Sequence, residues 1–372
     1  MKFLFIRLCN LFSFFYLEQG YKKFVFYSEG INYRNYFFDI IKILAKDNNI
    51  KVTYVSSDIN DKINIENVKN IYIGNGYLRT IFFSSLNCKN LILTLTDLDN
   101  SYLKKSKLCN NYIYIFHSAI STHVGYTKKA FWNYDYILCN GDYQYKELSE
   151  TEKLYNLKRK KLIKSGYSYF DYLKKNYKKK DTKKIKNILI APTWVEDKKN
   201  LFEDYAQNII RNLLNSEYVV TLRPHPEHFK RSKKVLNKIQ IEFSKNNNFK
   251  FEQNINSLDS LNSSDLLITD YSGISVEYLL AFKKPIIFIN SSPKINNQEY
   301  QKLNIESIEQ KVKKNFGYQL LGNEISKIDK IIKKINEDEL LNFNSIDSFL
   351  KDNFYNTEKT NINIVRFLKT LI

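Results

Sequence analysis

LLITDYSGISVEYLLAFKKPIIFI, residues 266–289, reads as strand, turn, helix and strand. The run 266–269 is apolar but too short for a helix, and it stops at Asp270-Tyr271-Ser272-Gly273. Apolar spacing then predicts a helix over 274–282 and a strand over 285–290. Strands joined through a helix lie parallel in one sheet. In such sheets ligands bind beyond the carboxyl ends of the strands, which is where Asp270, Ser272 and Gly273 fall. Ser272 can cap the helix, and Gly273 lets a ligand approach the backbone. The exposed N–H groups and helix dipole favour a phosphate there. Glu277, one turn on, is within reach of a ribose hydroxyl pair. The plainer alternatives are a simple N-cap for Ser272 and a first-turn dipole charge for Glu277.

The same pattern extends outward. Residues 187–191 (NILIA) form a strand that runs into Pro192-Thr193-Trp194, and a helix is expected over 201–215. The strand 218–222 ends at Arg223-Pro224-His225-Pro226. Arg223 offers a planar fork of donors that matches phosphate oxygens, and His225 can give a proton or a hydrogen bond to a phosphoryl oxygen. The alternative is a proline-fixed turn whose arginine pairs with a surface carboxylate. His228 reads as an ordinary surface residue.

Towards the N-terminus, strands are expected at 23–27 (KFVFY), 50–55, 70–73, 91–95 and 112–116, with a helix at 35–46. The fifth strand leads into His117-Ser118. A histidine at that strand end can serve as a general base, or it can be a hydrogen-bonded structural residue. The structural reading is the stronger one for His123. Strands alternating with helices argue for parallel sheets covered on both faces. Residues 173–187 (LKKNYKKKDTKKIKN) carry eight lysines and little to bury, so they read as a linker. The expected organisation is an N-terminal domain at 1–178, a C-terminal domain at 187–357, and a terminal helix in 358–372 that packs back on the first domain.

At 372 residues the chain suits two domains, and 43% hydrophobic and 26% charged residues exclude a disordered or fibrous protein. The net charge of +19 favours an anionic partner, although a Lys-, Asn- and Ile-rich composition also places much charge on solvated surface. The basic residues gather at 153–164 and in the linker, which is no nucleic-acid platform. Cys9, Cys88, Cys109 and Cys139 have no zinc spacing, so neither a metal nor a disulfide framework is expected, and a reducing cytoplasm fits. Walker, GxGxxG, GxSxG and HExxH motifs are missing, which disfavours ATPases, dehydrogenases, elbow-type hydrolases and zincins. Residues 1–17 (MKFLFIRLCNLFSFFYL) are apolar but too interrupted to span a bilayer. They read either as an interfacial helix, with Phe3, Phe5, Leu8, Leu11, Phe12, Phe14 and Phe15 at the headgroup boundary, or as a helix packed on the first domain.

The segments APTW (191–194), LRPHP (222–226) and 266–289 together resemble the CDP-glycerol glycerophosphotransferase family, which builds teichoic acids and related phosphate-containing surface polymers. The likeness covers roughly 187–290, and 116–144 looks like the matching first-domain region. The resemblance implies an α/β GT-B-like fold, two Rossmann-like domains facing a cleft. It also implies metal-independent transfer, no cofactor, a CDP-activated donor, a lipid-linked or polysaccharide acceptor, and a cytoplasmic enzyme held peripherally at the inner face of the membrane. Carried over by motif, His117 would be the base on the acceptor hydroxyl. Arg223 and His225 would face the donor pyrophosphate, with Thr193, Ser272 and Gly273 adding phosphate contacts. Glu277 would hold the ribose, and Asp270 would orient its loop. Two positions depart from the family pattern. Phe116-His117-Ser118 stands where Trp-His-Gly is common, and Gly273 stands where a second serine is common. Two rival functions remain: a GT-B glycosyltransferase using a nucleotide sugar, and a polyanion-binding protein without turnover.

Overall fold

The structure, a computed structural model, describes residues 2–178, 184–195, 200–254, 258–337 and 343–372. The chain forms two compact units, one of Met1–His117, Tyr126–Tyr172 and Asn353–Ile372, the other of Ser118–Gly125 and Leu173–Asp352.

The first unit is built on seven parallel strands: β1 (Phe24–Ser28), β2 (Val52–Ser56), β3 (Val68–Tyr72), β4 (Cys88–Leu93), β5 (Cys109–Ile115), β6 (Tyr136–Cys139) and β7 (Lys161–Lys164). Their order is β3-β2-β1-β4-β5-β6-β7. Every residue of β1 (FVFYS) and β2 (VTYVS) is buried, as befits strands covered on both faces. Phe24 and Phe26 pack with Phe37, Ile40, Ile41 and Leu44 of the Arg34–Ala45 helix. Ile364, Val365 and Leu368 of the Thr360–Lys369 helix complete that cluster. The chain's last segment thus belongs to the core of its first unit.

The N-terminal segment is helical from Lys2 to Phe15. Leu11 and Phe14 are buried, and the Phe14 ring meets Phe82 edge-on at 5.1 Å. Arg7 donates to the carbonyls of Ile73 and Asn75. The expected apolar residues are therefore split. Leu11 and Phe14 face the unit's core, while Phe5 and Phe12 stand 69% and 61% exposed.

Among the described residues, the second unit holds six parallel strands: β8 (Asn187–Ile190), β9 (Val219–Leu222), β10 (Phe249–Phe251), β11 (Leu266–Thr269), β12 (Ile286–Asn290) and β13 (Gly317–Leu321). The order is β10-β9-β8-β11-β12-β13. Ile188, Ile190, Val220, Leu222, Ile268 and Ile287 form its core with the Ala206–Asn215 and Ile328–Glu337 helices. The expected helix at 201–215 opens as one wide turn, Leu201–Tyr205, before becoming α-helical. Residues 118–125 are tied into this unit. The Ile308 N–H donates to Ser121 Oγ at 2.8 Å, and Asn297 Nδ2 donates to the His123 carbonyl at 3.0 Å.

Four strands were not expected from the sequence: β6, β7, β10 and β13. The linker expected at 173–187 lies partly outside the described residues, at 179–183. Its first residues belong to the Ser168–Asn176 helix.

Candidate active site

In the second sheet the strand order reverses between β8 and β11, and at that point the carboxyl ends of neighbouring strands open a crevice. Asp270 follows β11 there and is buried. Its Oδ1 accepts the Thr193 N–H at 2.8 Å, and its Oδ2 accepts the Ser291 hydroxyl at 3.4 Å. One carboxylate therefore joins the loops after β8, β11 and β12. Burial pushes its pKa up to about 6, against the hydrogen bonds that favour the ionised form.

The Gly273–Phe282 helix begins three residues on, with Ser272 extended at its N-cap. The capping expected of Ser272 is not seen: its hydroxyl makes no cap hydrogen bond. Its carbonyl instead accepts from Ser275, Oγ at 2.7 Å and N–H at 3.1 Å. The first N–H groups of a helix have no partner within it, so this end still offers donors and a positive dipole end. Gly273 has a packing reason as well. A Cβ there would lie 2.5 Å from Ser118 Oγ and 2.9 Å from Ile120 Cγ2. Glu277 is half-buried, one turn into this helix.

His225 caps the short helix Pro226–Arg231. Its Nδ1 accepts the Glu227 N–H at 3.2 Å, which leaves the proton on Nε2. Burial, helped by the charge of Lys294, lowers its pKa to about 4. At neutral pH the ring is neutral, so it delivers a hydrogen bond from Nε2–H rather than an imidazolium proton. His228 is not the surface residue expected. It is buried, stacked on Phe202 at 4.0 Å, and its Nδ1 accepts the His225 N–H at 3.1 Å. Burial lowers its pKa to about 3, so it stays neutral and fixes the backbone of His225.

Arg223 follows β9 and already faces a carboxylate. Its Nε lies 3.9 Å from Glu252 Oε2, and its Nη1 is 3.5 Å from Ser260 Oγ. The partner is the residue after β10, nearly as buried as Arg223 itself.

Two lysines that the sequence reading passed over lie within electrostatic reach of Asp270. Lys294 lies in the loop after β12, and Lys313 lies on the Ile308–Phe316 helix. Asp270 raises the proton affinity of both, against the larger effect of burial, which lowers it.

His117 belongs to the first unit, at the carboxyl end of β5. Its ring sits 5.5 Å from Tyr33, 6.3 Å from Tyr36 and 6.5 Å from Tyr126. Glu29, after β1, and Thr94, after β4, flank the point where this sheet's order reverses, and they hydrogen-bond at 3.4 Å. Burial raises the Glu29 pKa. The sequence reading did not single out this pair. His123 is buried in the second unit, 3.0 Å from the Ile305 carbonyl through Nε2, which is a structural role. The second unit thus carries Thr193, His225, Asp270, Ser272, Gly273 and Glu277 beyond the carboxyl ends of β8, β9 and β11, with Arg223 after β9 in its ion pair. Among the described residues, no group of three or more His, Cys, Asp or Glu side chains is placed to hold a metal ion.

The chain is 29% identical over 179 residues to the teichoic acid glycerol-phosphate primase of Bacillus subtilis (strain 168), which covers 46% of this chain and 44% of the relative. It is 29% identical over 146 residues to the teichoic acid poly(glycerol phosphate) polymerase of Bacillus spizizenii (strain ATCC 23059 / NRRL B-14472 / W23), 35% of each chain. It therefore spans less than half the length of these curated relatives. Among solved structures, the wall teichoic acid polymerase TagF superposes with a TM-score of 0.60 at 16% identity, over 98% of this chain and 92% of that one. The UDP-GlcNAc 2-epimerase of Neisseria meningitidis gives 0.60 at 12% identity, over 94% and 100%. These likenesses show an α/β GT-B-like fold. The model of the CDP-Glycerol:Poly(glycerophosphate) glycerophosphotransferase family matches residues 26–335, and the chain belongs to that family.

Proposed function

We propose that the protein transfers a glycerol phosphate, or a related alditol phosphate, from a CDP-activated donor to a hydroxyl of a surface-polysaccharide or lipid-linked acceptor. The observation that carries this reading is the junction of β11 with the Gly273–Phe282 helix. There Asp270 holds the Thr193 N–H beside a helix N-terminus at the reversal point of a parallel sheet, and the neutral His225 follows the neighbouring β9. The acceptor oxygen attacks the alditol-bearing phosphorus in line. The bond from that phosphorus to the bridging oxygen breaks, and CMP leaves with the electron pair. His117 takes the hydroxyl proton. The Nε2–H of His225 and the first N–H groups of the helix stabilise charge on the leaving phosphate. Thr193, Ser272 and Gly273 contact the phosphates, Arg223 adds its positive field, Glu277 holds the ribose, and Asp270 orients the loops. The enzyme works peripherally at the inner face of the cell membrane, where a lipid-linked acceptor would lie.

Two measurements test the reading. Thermal stabilisation by CMP, CDP, UDP, GDP and ADP should be largest for the cytidine nucleotides. A preference for UDP or GDP would move the function to sugar transfer. With CDP-glycerol and a hydroxyl acceptor, His117→Ala should lose roughly 10²-fold or more in turnover while still binding the donor. Unchanged turnover would remove His117 from the mechanism.

A further inference from the structure

Asp270 is one buried carboxylate facing more than one cation. Lys313 Nζ donates to Asn290 Oδ1, lies 3.5 Å from the Tyr271 hydroxyl and sits over the Tyr271 ring at 4.5 Å. It is thus held at the carboxyl ends of β11 and β12. Lys294 sits in the loop that continues β12, three residues after Ser291, the residue that donates to Asp270. That loop is pinned. Asn296 donates its N–H to the Val124 carbonyl at 3.0 Å and its Nδ2 to Gly125 at 2.7 Å, and Asn297 Nδ2 donates to His123. Pro293 precedes Lys294 and stiffens the approach. Lys294 is half-buried, yet its ammonium makes no hydrogen bond or ion pair at contact distance among the described residues. Its charge is felt by His225 and attracted by Asp270 and Glu227. A partly desolvated cation on a pinned loop, without a contact partner, is costly unless something anionic completes it.

We propose that Lys294 and Lys313 form a two-cation cradle for the donor's diphosphate, with Lys294 the direct contact to the phosphate that leaves. This rests on the glycerophosphotransferase reading above and adds to it the groups that neutralise the diphosphate. Lys313, held by Asn290 and Tyr271, sets the far side of the cradle. Lys294 shares the near side with the Nε2–H of His225. Asp270 keeps both ammonium groups turned inward before the ligand arrives.

The test is binding of CDP, inorganic pyrophosphate and cytidine to the full chain, by calorimetry at fixed ionic strength. Lys294→Met should weaken CDP and pyrophosphate by about tenfold or more, as expected for loss of a charge-assisted contact, and leave cytidine unchanged. Lys294→Arg should recover most of the loss, and Lys313→Met should weaken the same two ligands. The unliganded melting temperature of Lys294→Met should equal or exceed that of the parent, because a desolvated charge has been removed. A lysine that merely supported the fold would lower it. CDP and pyrophosphate bound by Lys294→Met as tightly as by the parent would overturn the cradle and leave the donor reading standing. If the parent binds pyrophosphate with no gain for cytidine nucleotides, and Lys294→Met loses it, the cradle stands and the donor reading fails.

Discussion

Ser118 and Gly273 are neighbours within the second unit. The resemblance drawn from the sequence sets a glycine where Ser118 stands and a serine where Gly273 stands. The two positions touch, since a Cβ on Gly273 would lie 2.5 Å from Ser118 Oγ. On that resemblance the two departures would be one reciprocal exchange, with the hydroxymethyl group on one partner instead of the other. Gly273→Ser alone should destabilise the second unit by about 1–3 kcal/mol, the usual range for overpacking. Adding Ser118→Gly should restore most of that loss, read as a double-mutant cycle from denaturant midpoints. Additive losses in the double variant would disprove the exchange. His228 ties stability to pH. Its folded pKa of about 3 lies below the usual histidine value, so the unfolded chain binds the proton more tightly. The stability it contributes is fully present above pH 6.5 and is lost as pH falls towards 3. Asp270, raised to about 6, has the opposite sign and costs stability above pH 6. The melting temperature of His228→Phe relative to the parent should therefore rise as pH falls from 6.5 to 4. A difference that is flat with pH would show that His228 titrates normally in the fold. The strand-end residues were legible because prolines and glycines punctuate them. His228 was not, because its neighbours Glu227, Lys230 and Arg231 are surface charges that pair with one another.

Among the elements, three of the four missed strands, β7, β10 and β13, lack a buried apolar run, whereas β6 is wholly buried and was missed because it is only four residues long. β1 and β2 are wholly buried apolar runs. β7 (KLIK) has exposed lysines at both ends and pairs only with β6, and β10 is three residues long, so neither carries enough apolar signal to stand out. Charge along β7 suits an edge strand, which must avoid pairing with other chains. Lys294 and Lys313 were hidden for a related reason. A lysine among 58 basic residues gains meaning only from where the fold places it. The Lys2–Phe15 helix was legible as a helix but not as a two-sided one. Its anchoring side, Arg7, Leu11 and Phe14, is fixed by the first unit. Phe5, Cys9, Phe12 and Tyr16 recur at helical spacing on its exposed side. No helix among the described residues is long and apolar enough to cross a membrane, so membrane contact by this segment would be interfacial. Deleting the segment would confound docking with unfolding. Phe5→Ser combined with Phe12→Ser leaves the anchor intact and should reduce cosedimentation with vesicles containing anionic lipid, at unchanged melting temperature. Full vesicle binding by that variant would take the exposed stripe out of the membrane argument.

For the whole molecule, the order of the chain is not the order of its units. The first unit takes its last piece, residues 353–372, from beyond the whole of the second. That piece is tightly seated. A Cβ on Gly141 would lie 1.7 Å from the Asn353 carbonyl oxygen. Gly166, at φ +97°, would place one 2.4 Å from the Tyr355 carbonyl oxygen. Ile364, Val365 and Leu368 then enter the core beside the Arg34–Ala45 helix. Burial of each is worth about 1.5–3 kcal/mol, so together they contribute on the order of 5 kcal/mol. That matches the lower end of the total stability of a domain. Truncation after residue 352 should therefore unfold or loosen the first unit, although the cut falls far from it in sequence. Hydrogen exchange should show the difference. Amides of β1, β2 and Arg34–Ala45 should exchange much faster in the truncated chain, while β8, β9 and β11 keep their protection, since the second unit loses none of its own core. Gly141→Ala tests the same seat without a truncation and should loosen the same amides. Protection of β1 and β2 that survives both changes would mean that the final segment only decorates the first unit, and that a core built from residues 1–172 alone suffices.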